Sequence, residues 1–297
     1  MAKQTLTKPE ESERVIVLTD GRRLSFGRPL VMGVLNVTPD SFSDGGRYDS
    51  PEAALRQAVA MVEQGADIVD VGGESSRPGA QPVDPTEERH RVLPVIAQLR
   101  KESRVFISVD TYRAETAAAA LDAGADLVND ISALRFDRDM ARLVAERAVP
   151  IVLMHMKGTP RNMQQNPVYT DCVKEIAEFF DERIEFAAAR GIDRNRLILD
   201  PGIGFGKRLE DNLDILSRLR EFRRFGLPVM VGASRKSFIG MLAPSGAAAS
   251  ERIGGSIAAA VLAMCHGADI VRVHDVAPTV EALKTLVAIR TRGVLSC

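Results

Sequence analysis

Short apolar runs alternate with longer amphipathic stretches along almost the whole chain. The runs lie at 30–36 (LVMGVLN), 67–72 (DIVDVG), 105–110 (VFISVD), 126–130 (DLVND), 150–155 (PIVLMH), 196–200 (RLILD), 228–234 (PVMVGAS) and 269–274 (DIVRVH). Each is short and rich in Val, Ile and Leu. None shows the steady alternation of a strand with one wet face, so they read as parallel strands buried on both sides. The stretches between them read as helices. In 50–65 (SPEAALRQAVAMVEQG), Ser50 suits an N-cap and Pro51 the first turn. Leu55, Val59 and Val62 share one face, and Gly65 can close the end in the left-handed conformation. Comparable segments run at about 86–101, 113–123, 138–147, 170–190, 209–224, 250–266 and 276–290. Eight strands alternating with eight helices over roughly 260 residues predict an α/β fold, a closed (β/α)8 TIM barrel. A doubly wound open sheet is the rival, and it usually has fewer strands and a topological switch point.

Ahead of this rhythm, residues 1–13 are polar. In RVIVLTDGRRLSFG two β-rich runs flank Asp20-Gly21, which predicts a hairpin outside the main fold. The chain therefore divides into a tail and β-hairpin at 1–28 and a barrel at 29–297.

One frame recurs. Residues 65–69 read GADIV, 124–128 GADLV and 267–271 GADIV, and the residue that follows is Asp70, Asn129 and Arg272 in turn. Gly is expected to end a helix, Ala-Asp to make the turn, and the apolar pair to enter the barrel wall. The sixth residue then falls toward the C-terminal end of its strand, where such barrels carry chemistry. Asp70 alone also suits a surface polar. Asn129 and Arg272, on such apolar strands, require partners.

Composition narrows the function. Of 297 residues, 45% are apolar, and 39 Lys plus Arg balance 40 Asp plus Glu, so no charge excess points to nucleic acid or an anionic membrane. Three scattered cysteines, Cys172, Cys265 and Cys297, argue against a disulfide framework and fit a reducing compartment. No apolar run reaches the length of about 18 residues needed to span a bilayer, and the first residues lack the apolar core of a signal peptide. The expectation is a soluble cytoplasmic protein.

The predicted strand ends carry the chemistry. They offer Asn36, Asp110, Asn129, Met154-His155, Asp200, the Ser234–Ser237 segment, and Arg272-Val-His274. Asp110, Asn129 and Asp200 supply carboxylate and amide edges suited to a flat heterocycle with guanidine-like donors. Lys236, Arg272 and His274 supply cationic donors on the last two strands, the usual phosphate corner of a barrel. The carbonyl of Asn36 could hold Mg²⁺ together with phosphate oxygens. Spacing alone thus points to an enzyme acting on a small aromatic heterocycle that carries phosphate. Blander roles stand beside each: a strand-end Asp is often a helix N-cap, and Lys236 could be a solvated lysine or a Schiff-base nucleophile. His155 reads as a core histidine, and His90 and His266 as helix-surface residues. PGIGFGK (201–207) fails the Walker A pattern at Pro201 and Arg208. It reads as a flexible loop whose glycines let backbone approach a ligand, with Phe205 as a stacking face. The loops 36–51 and 72–85 are polar, rich in Gly and Pro, and read as lids. Arg77 in the second could contact an anionic second substrate.

These strings also resemble a known family. MGVLNVTPDSFSDGG, GESSRPG, SVDT, NDIS, LMHMKGTPRNMQ, LDPGIGFGK, GASRKSFIG and RVHDV, in that order across about 29–290, resemble the signatures of dihydropteroate synthase. The resemblance implies a homodimeric barrel enzyme and sulfonamide target. It would condense 6-hydroxymethyl-7,8-dihydropterin diphosphate with 4-aminobenzoate, with Mg²⁺. By the same resemblance Asp110, Asn129, Asp200 and Lys236 hold the pterin, and Met154, Phe205 and Gly232 line its slot. Asn36, Arg272 and His274 bind the diphosphate and its metal. Phe42, Ser76, Arg77, Pro78 and Ser237 frame the aminobenzoate. Asp110 and Asp44 stabilise the cation left when diphosphate departs. Ser76 departs from the family's commoner Thr and is expected to have a small effect. Three rivals share parts of this pattern: a pterin-binding methyltransferase domain, a catalytically silent pterin-binding paralogue, and a Schiff-base aldolase acting through Lys236. The small-residue helix at 250–266 is the candidate subunit contact, with ordinary core packing as the other reading.

Overall fold

The computed structural model describes residues 14–38, 51–75, 79–242 and 248–292. The hairpin is β1 (Val15–Val17) and β2 (Arg23–Ser25). The eight barrel strands are β3 (Leu30–Asn36), β4 (Ile68–Gly72), β5 (Phe106–Asp110), β6 (Leu127–Asp130), β7 (Ile151–Met154), β8 (Leu197–Asp200), β9 (Met230–Val231) and β10 (Ile270–Val273). The helices are α1 (Pro51–Glu63), α2 (Pro85–Glu102), α3 (Ala114–Asp122), α4 (Met140–Arg147), α5 (Cys172–Ala189), α6 (Leu209–Ser217), α7 (Ser237–Leu242), α8 (Ile253–Cys265) and α9 (Val276–Thr291). All barrel strands pair in parallel with their neighbours, in the order β8-β7-β6-β5-β4-β3-β10-β9. A parallel bridge between Leu199 and Val229 joins the two ends, so the sheet closes into the expected barrel. Two elements differ from expectation. The helix at 209–224 stops at Ser217 and continues as a 3₁₀ segment, Leu219–Phe225, whose period of three places Leu219, Phe222 and Phe225 together in the core. A short helix not foreseen, α7, follows β9, which is only two residues long because Arg235 turns the chain with φ 58°.

The repeated frame has a repeated structure. Gly65, Gly124 and Gly267 follow α1, α3 and α8 with φ of 97°, 112° and 98°. In each, the Gly N–H returns to the carbonyl three residues back and the Ala N–H to the carbonyl five back, which satisfies the last orphan carbonyls of the helix. The aspartate that follows does more than turn the chain. Asp67, Asp126 and Asp269 accept the N–H of Val31 on β3, Ile107 on β5 and Val229 just before β9, in each case from the strand beside the one the aspartate leads into. Each also receives an arginine from the hairpin segment: Arg28 on Asp67, Arg22 on Asp126, and Arg14 on Asp269 at 2.6 Å. The hairpin is thereby fastened across the N-terminal end of the barrel. Its Ile16, Leu24 and Phe26 join Leu30, Met32, Ile68, Leu127, Val152, Ile198, Met230 and Ile270 in one apolar interior cluster.

Side chains on a strand alternate between faces. Two residues beyond the interior positions Ile68, Phe106, Leu127, Val152, Ile198, Met230 and Ile270 stand Asp70, Ser108, Asn129, Met154, Asp200, Gly232 and Arg272. The barrel interior thus changes from hydrocarbon to polar over one layer. That change places the site at the C-terminal mouth, away from the hairpin.

Candidate active site

The three varied positions of the repeated frame meet. Arg272 donates through Nε to Asp70 Oδ2 at 2.6 Å and through an Nη to Asp110 Oδ2 at 2.6 Å, and Asn129 Nδ2 donates to the same Asp70 oxygen at 3.0 Å. Asp70 is fully buried, which corrects its reading as a surface polar. Its functional signal was its place in the frame. The register gives a continuous row: Asn36 pairs with Gly72, Gly72 with Asp110, and Asp110 with Asn129. Gly72 leaves room here, because a Cβ on it would sit 3.3 Å from Asp110 Cβ.

The opposite side of the mouth is built by β7, β8 and the segment after β9. Asp200 ends β8, and its Oδ1 accepts the N–H of Gly202 at 2.7 Å. Lys236 lies with Nζ 4.1 Å from the centre of the Phe205 ring, a cation–π contact. Phe205 packs with Met154, Met156, Met163 and Ile131. Gly232 lies along the stem of Arg272, with 3.7 Å from the position of a Cβ to Arg272 Cβ. Ser237 opens α7 and is exposed at the rim. Lys236 and Arg272 both act electrostatically on Asp200, so the two sides face one space. The predicted residues on described strands therefore converge. Phe42, Asp44, Ser76, Arg77 and Pro78 lie outside the described residues.

Burial sets the protonation of the ring. Burial pushes Asp200 above the ordinary carboxylate range, partly opposed by the Gly202 N–H, Lys236 and Arg272. Burial also pushes Asp110 up, to about 7; Arg272 pulls it down, while Asp70 adds a like charge that raises it further. For Arg272 itself, burial disfavours the charge, but Asp70 and Asp110 more than offset this and keep the guanidinium ionised. His274 corrects an expectation. Burial, then Arg272, Arg235 and Lys236, lower it to about 3, so it is neutral in the unliganded protein and not a cationic donor. Its backbone N–H donates to Ser234 Oγ at 3.2 Å, and that hydroxyl lies 3.1 Å from Nδ1. With the Ser234 hydroxyl donating to Nδ1, the neutral ring carries its proton on Nε2 and presents Nε2–H as a hydrogen-bond donor.

The 201–207 loop is held by its own chain. Gly202, Gly204 and Gly206 have φ of 68°, 81° and 63°. A Cβ at Gly202 would meet His155 O at 2.0 Å, and one at Gly206 would meet Lys157 O at 2.5 Å. Gly202 and Gly206 admit the chain's own backbone after β7, and Gly204 admits the stem of Lys236, with 3.1 Å from the position of a Cβ to Lys236 Cδ. Further bonds fix the loop: Gly204 N–H to Asn212 Oδ1 at 2.6 Å, Gln164 Nε2 to Gly204 O at 2.8 Å, and Tyr169 O–H to Gly206 O at 2.7 Å. His155 is a core residue as read, edge-on to Phe179 at 4.9 Å. Residues missed by sequence reading also tie down the second loop: Arg113 bridges Glu74 at 2.6 Å and buried Glu88 at 2.7 Å. Among the described residues no three His, Cys, Asp or Glu side chains are grouped to hold a metal. A cavity of about 460 Å³ opens at the other end of the barrel, lined by Arg14, Phe26, Arg28, Arg220 and Arg223 among others, and touches none of the ring.

A closed barrel whose mouth gathers acceptor side chains from β4, β5, β6 and β8 around an aromatic–cation pair defines the class of pterin-binding barrel enzymes; the family model "Pterin binding enzyme" matches residues 32–274. The chain belongs to the dihydropteroate synthase family. It is 46% identical over 272 residues to dihydropteroate synthase of Escherichia coli strain K12, covering 92% of this chain and 95% of that one. A structure of Xanthomonas albilineans dihydropteroate synthase with 4-aminobenzoic acid superposes with a TM-score of 0.88 at 45% identity, covering 94% of this chain and 99% of the other. A Yersinia pestis dihydropteroate synthase in a sulfonamide complex matches with a TM-score of 0.88, also at 45% identity, over 93% and 99% of the two chains.

Proposed function

We propose that this chain is a transferase that condenses 6-hydroxymethyl-7,8-dihydropterin diphosphate with 4-aminobenzoate, releasing diphosphate and 7,8-dihydropteroate. One observation carries the reading: Asp110, Asn129, Asp200, Lys236 and Arg272, far apart in sequence, share one barrel mouth. Asp110, Asn129 and Asp200 would accept the N–H groups of the pterin. Met154 and Phe205 would wall its slot, with Gly232 leaving space beside Arg272 and Lys236 supplying a donor over the ring. Arg272 and the Nε2–H of His274 would hold the diphosphate, Arg272 by charge and His274 by a neutral hydrogen bond. As diphosphate leaves, positive charge develops on the methylene carbon. Asp110, with Asp44 of the first loop, would stabilise that charge, and the aniline nitrogen attacks the carbon. Phe42, Ser76, Arg77, Pro78 and Ser237 would frame the aminobenzoate, and closure of the first two loops would keep water from the carbon. Lys236 would act without forming a Schiff base.

The donor set fits Mg²⁺ as a loosely held cation: Asn36 ends β3 beside the Gly72 gap and offers one carbonyl oxygen, and phosphate oxygens suit the remaining positions. When bound, Mg²⁺ would neutralise charge on the leaving group. The chain is further proposed to act in the cytoplasm as a homodimer and to bind sulfonamides. No described helix is long and apolar enough to cross a membrane, and the buried thiol of Cys172 forms no disulfide among the described residues, which suits a reducing compartment. The test is direct. Purified protein with both substrates and Mg²⁺ is expected to release diphosphate only when 4-aminobenzoate is present, with dihydropteroate in equal amount. Diphosphate release indifferent to 4-aminobenzoate, without dihydropteroate, would overturn the reading.

A further inference from the structure

We infer that Asp70 is a positioning residue that decides which end of the Asn129 amide meets the heterocycle and how Arg272 is aimed. The inference rests on the proposed pterin site. An asparagine amide has a donor end and an acceptor end of nearly the same shape. A carboxylate can only accept. Asp70 Oδ2, 3.0 Å from the Asn129 amide, therefore requires Nδ2 on its own side and leaves Oδ1 as the end free to accept from a ligand. With Asp110 beside it on β5 and Asp200 across the mouth on β8, the site then offers three acceptors. That arrangement selects a ring edge rich in N–H donors, such as an aminopyrimidine, over one rich in acceptors.

The same oxygen takes Arg272 Nε at 2.6 Å, while Asp110 takes one Nη group at 2.6 Å. Two bonds on adjacent nitrogens fix the roll of a planar guanidinium. Neither uses the remaining Nη group, which is left to face an anion. Asp70 achieves this at a cost. Its Oδ1 and the Oγ of Ser108, its register partner on β5, are buried without hydrogen-bond partners among the described residues. An unsatisfied buried acceptor disfavours folding. A fully buried carboxylate with one idle oxygen is what a site produces when the other oxygen has work that no amide could do.

The test separates orientation from mere countercharge. Calorimetry would use the neutral pterin alcohol, which lacks diphosphate and so does not engage the charge of Arg272. Asp70→Asn lets its own amide donate to Asn129, turns that residue's Nδ2 toward the ligand, and is expected to weaken the pterin by about 30-fold or more, because a donor then faces a donor. Adding Asn129→Asp restores an acceptor toward the ligand, with Asn at 70 donating to it, and should recover affinity to within about 5-fold of wild type. Unchanged affinity in Asp70→Asn, or no recovery in the double variant, would reduce Asp70 to a countercharge and overturn the inference. If Asp70→Asn does not fold, selectively labelled wild-type protein answers instead. The Asn129 side-chain amide, assigned by its loss in Asn129→Asp, should keep one proton downfield and protected from exchange with and without pterin. Loss of that protection, or its appearance only with pterin, would also overturn it. Wild-type protein that binds no pterin would defeat the proposed function rather than the role of Asp70 alone.

Discussion

Lys207 closes the 201–207 loop with one amine. Its Nζ lies 3.0 Å from His155 Nδ1, 3.3 Å from His155 O and 3.0 Å from Phe205 O. His155 is held neutral, first by burial and then by Lys207 itself, so its Nδ1 accepts and its proton sits on Nε2. The lysine is 3% exposed, and burial lowers its amine from 10.5 to about 7. Between those two values the unfolded chain binds the proton and the folded chain does not, so this group makes stability rise with pH across pH 7 to 10.5. The full contribution stands above the unfolded value and is lost as pH falls through about 7. Replacing Lys207 by Met removes the dependence. The stability of wild type relative to Lys207→Met should therefore rise by about 2 kcal/mol between about pH 7.5 and about pH 9.5, taking about 1.4 kcal/mol per pH unit as the ceiling. Urea denaturation of both proteins at the two pH values reads the difference, in which other titrating groups cancel. A gap that does not move with pH would mean that the three acceptors keep Lys207 charged throughout.

Each barrel strand divides its labour along its length, and much of that division is legible in the sequence. The apolar runs marked every barrel strand. Polar residues at or near the ends of β3, β4, β5, β6, β8 and β10 marked the candidate site, because a polar group on a strand buried on both faces must have a partner or a ligand. What local patterning did not reveal is who pairs with whom. Asp70, Asp110 and Arg272 come from β4, β5 and β10, and their contacts depend on barrel closure, which periodicity does not encode. For the same reason the sequence does not reveal that Arg14, Arg22 and Arg28 seat the hairpin on Asp269, Asp126 and Asp67. The glycines of 201–207 were legible as sites of close approach, but that His155 and Lys157 are what approaches Gly202 and Gly206 was not. The hairpin offers a test of this division. Leu24 is 2% exposed and sits in the interior cluster at the end remote from Asp200 and Arg272. Leu24→Ala should cost about 2–5 kcal/mol of stability by opening a cavity. Pterin affinity measured by calorimetry on the folded variant should stay within about 3-fold of wild type, since less than about 0.7 kcal/mol is expected to reach the mouth. A large loss of affinity at equal folding would show that the apolar and polar layers are not independent.

The outer surface carries one feature that the barrel interior does not account for. Met241 and Leu242 on α7 and Ile253 and Leu262 on α8 are 64%, 57%, 39% and 41% exposed. The two helices are packed tightly together. A Cβ at Gly255 would meet Ile239 Cγ2 at 2.3 Å, and one at Gly240 would meet the Arg252 guanidinium at 2.8 Å. Close packing sets the two helices side by side, and exposed apolar side chains on such a pair suit a subunit interface. A net formal charge of −1 gives little repulsion between two copies. The same helix, read from sequence as the subunit contact, buries Ala259, Ala260 and Ala263 against the barrel and turns Leu262 outward. A homodimer across α7 and α8 would cover this face and leave both mouths open. It would also steady α7, whose first residue, Ser237, follows Lys236 directly, so association and substrate binding would be linked through a few residues. Wild-type protein should therefore sediment as a dimer at micromolar concentration. Leu262→Glu, which puts two like charges into the contact, should shift it to monomer and raise the Michaelis constant for 4-aminobenzoate. Pterin affinity, set mainly by β4 to β8 and β10, should change less. If Leu262→Glu still sediments as a dimer, or wild type as a monomer, the contact lies elsewhere or does not form, and the exposed side chains of α7 and α8 need another cover.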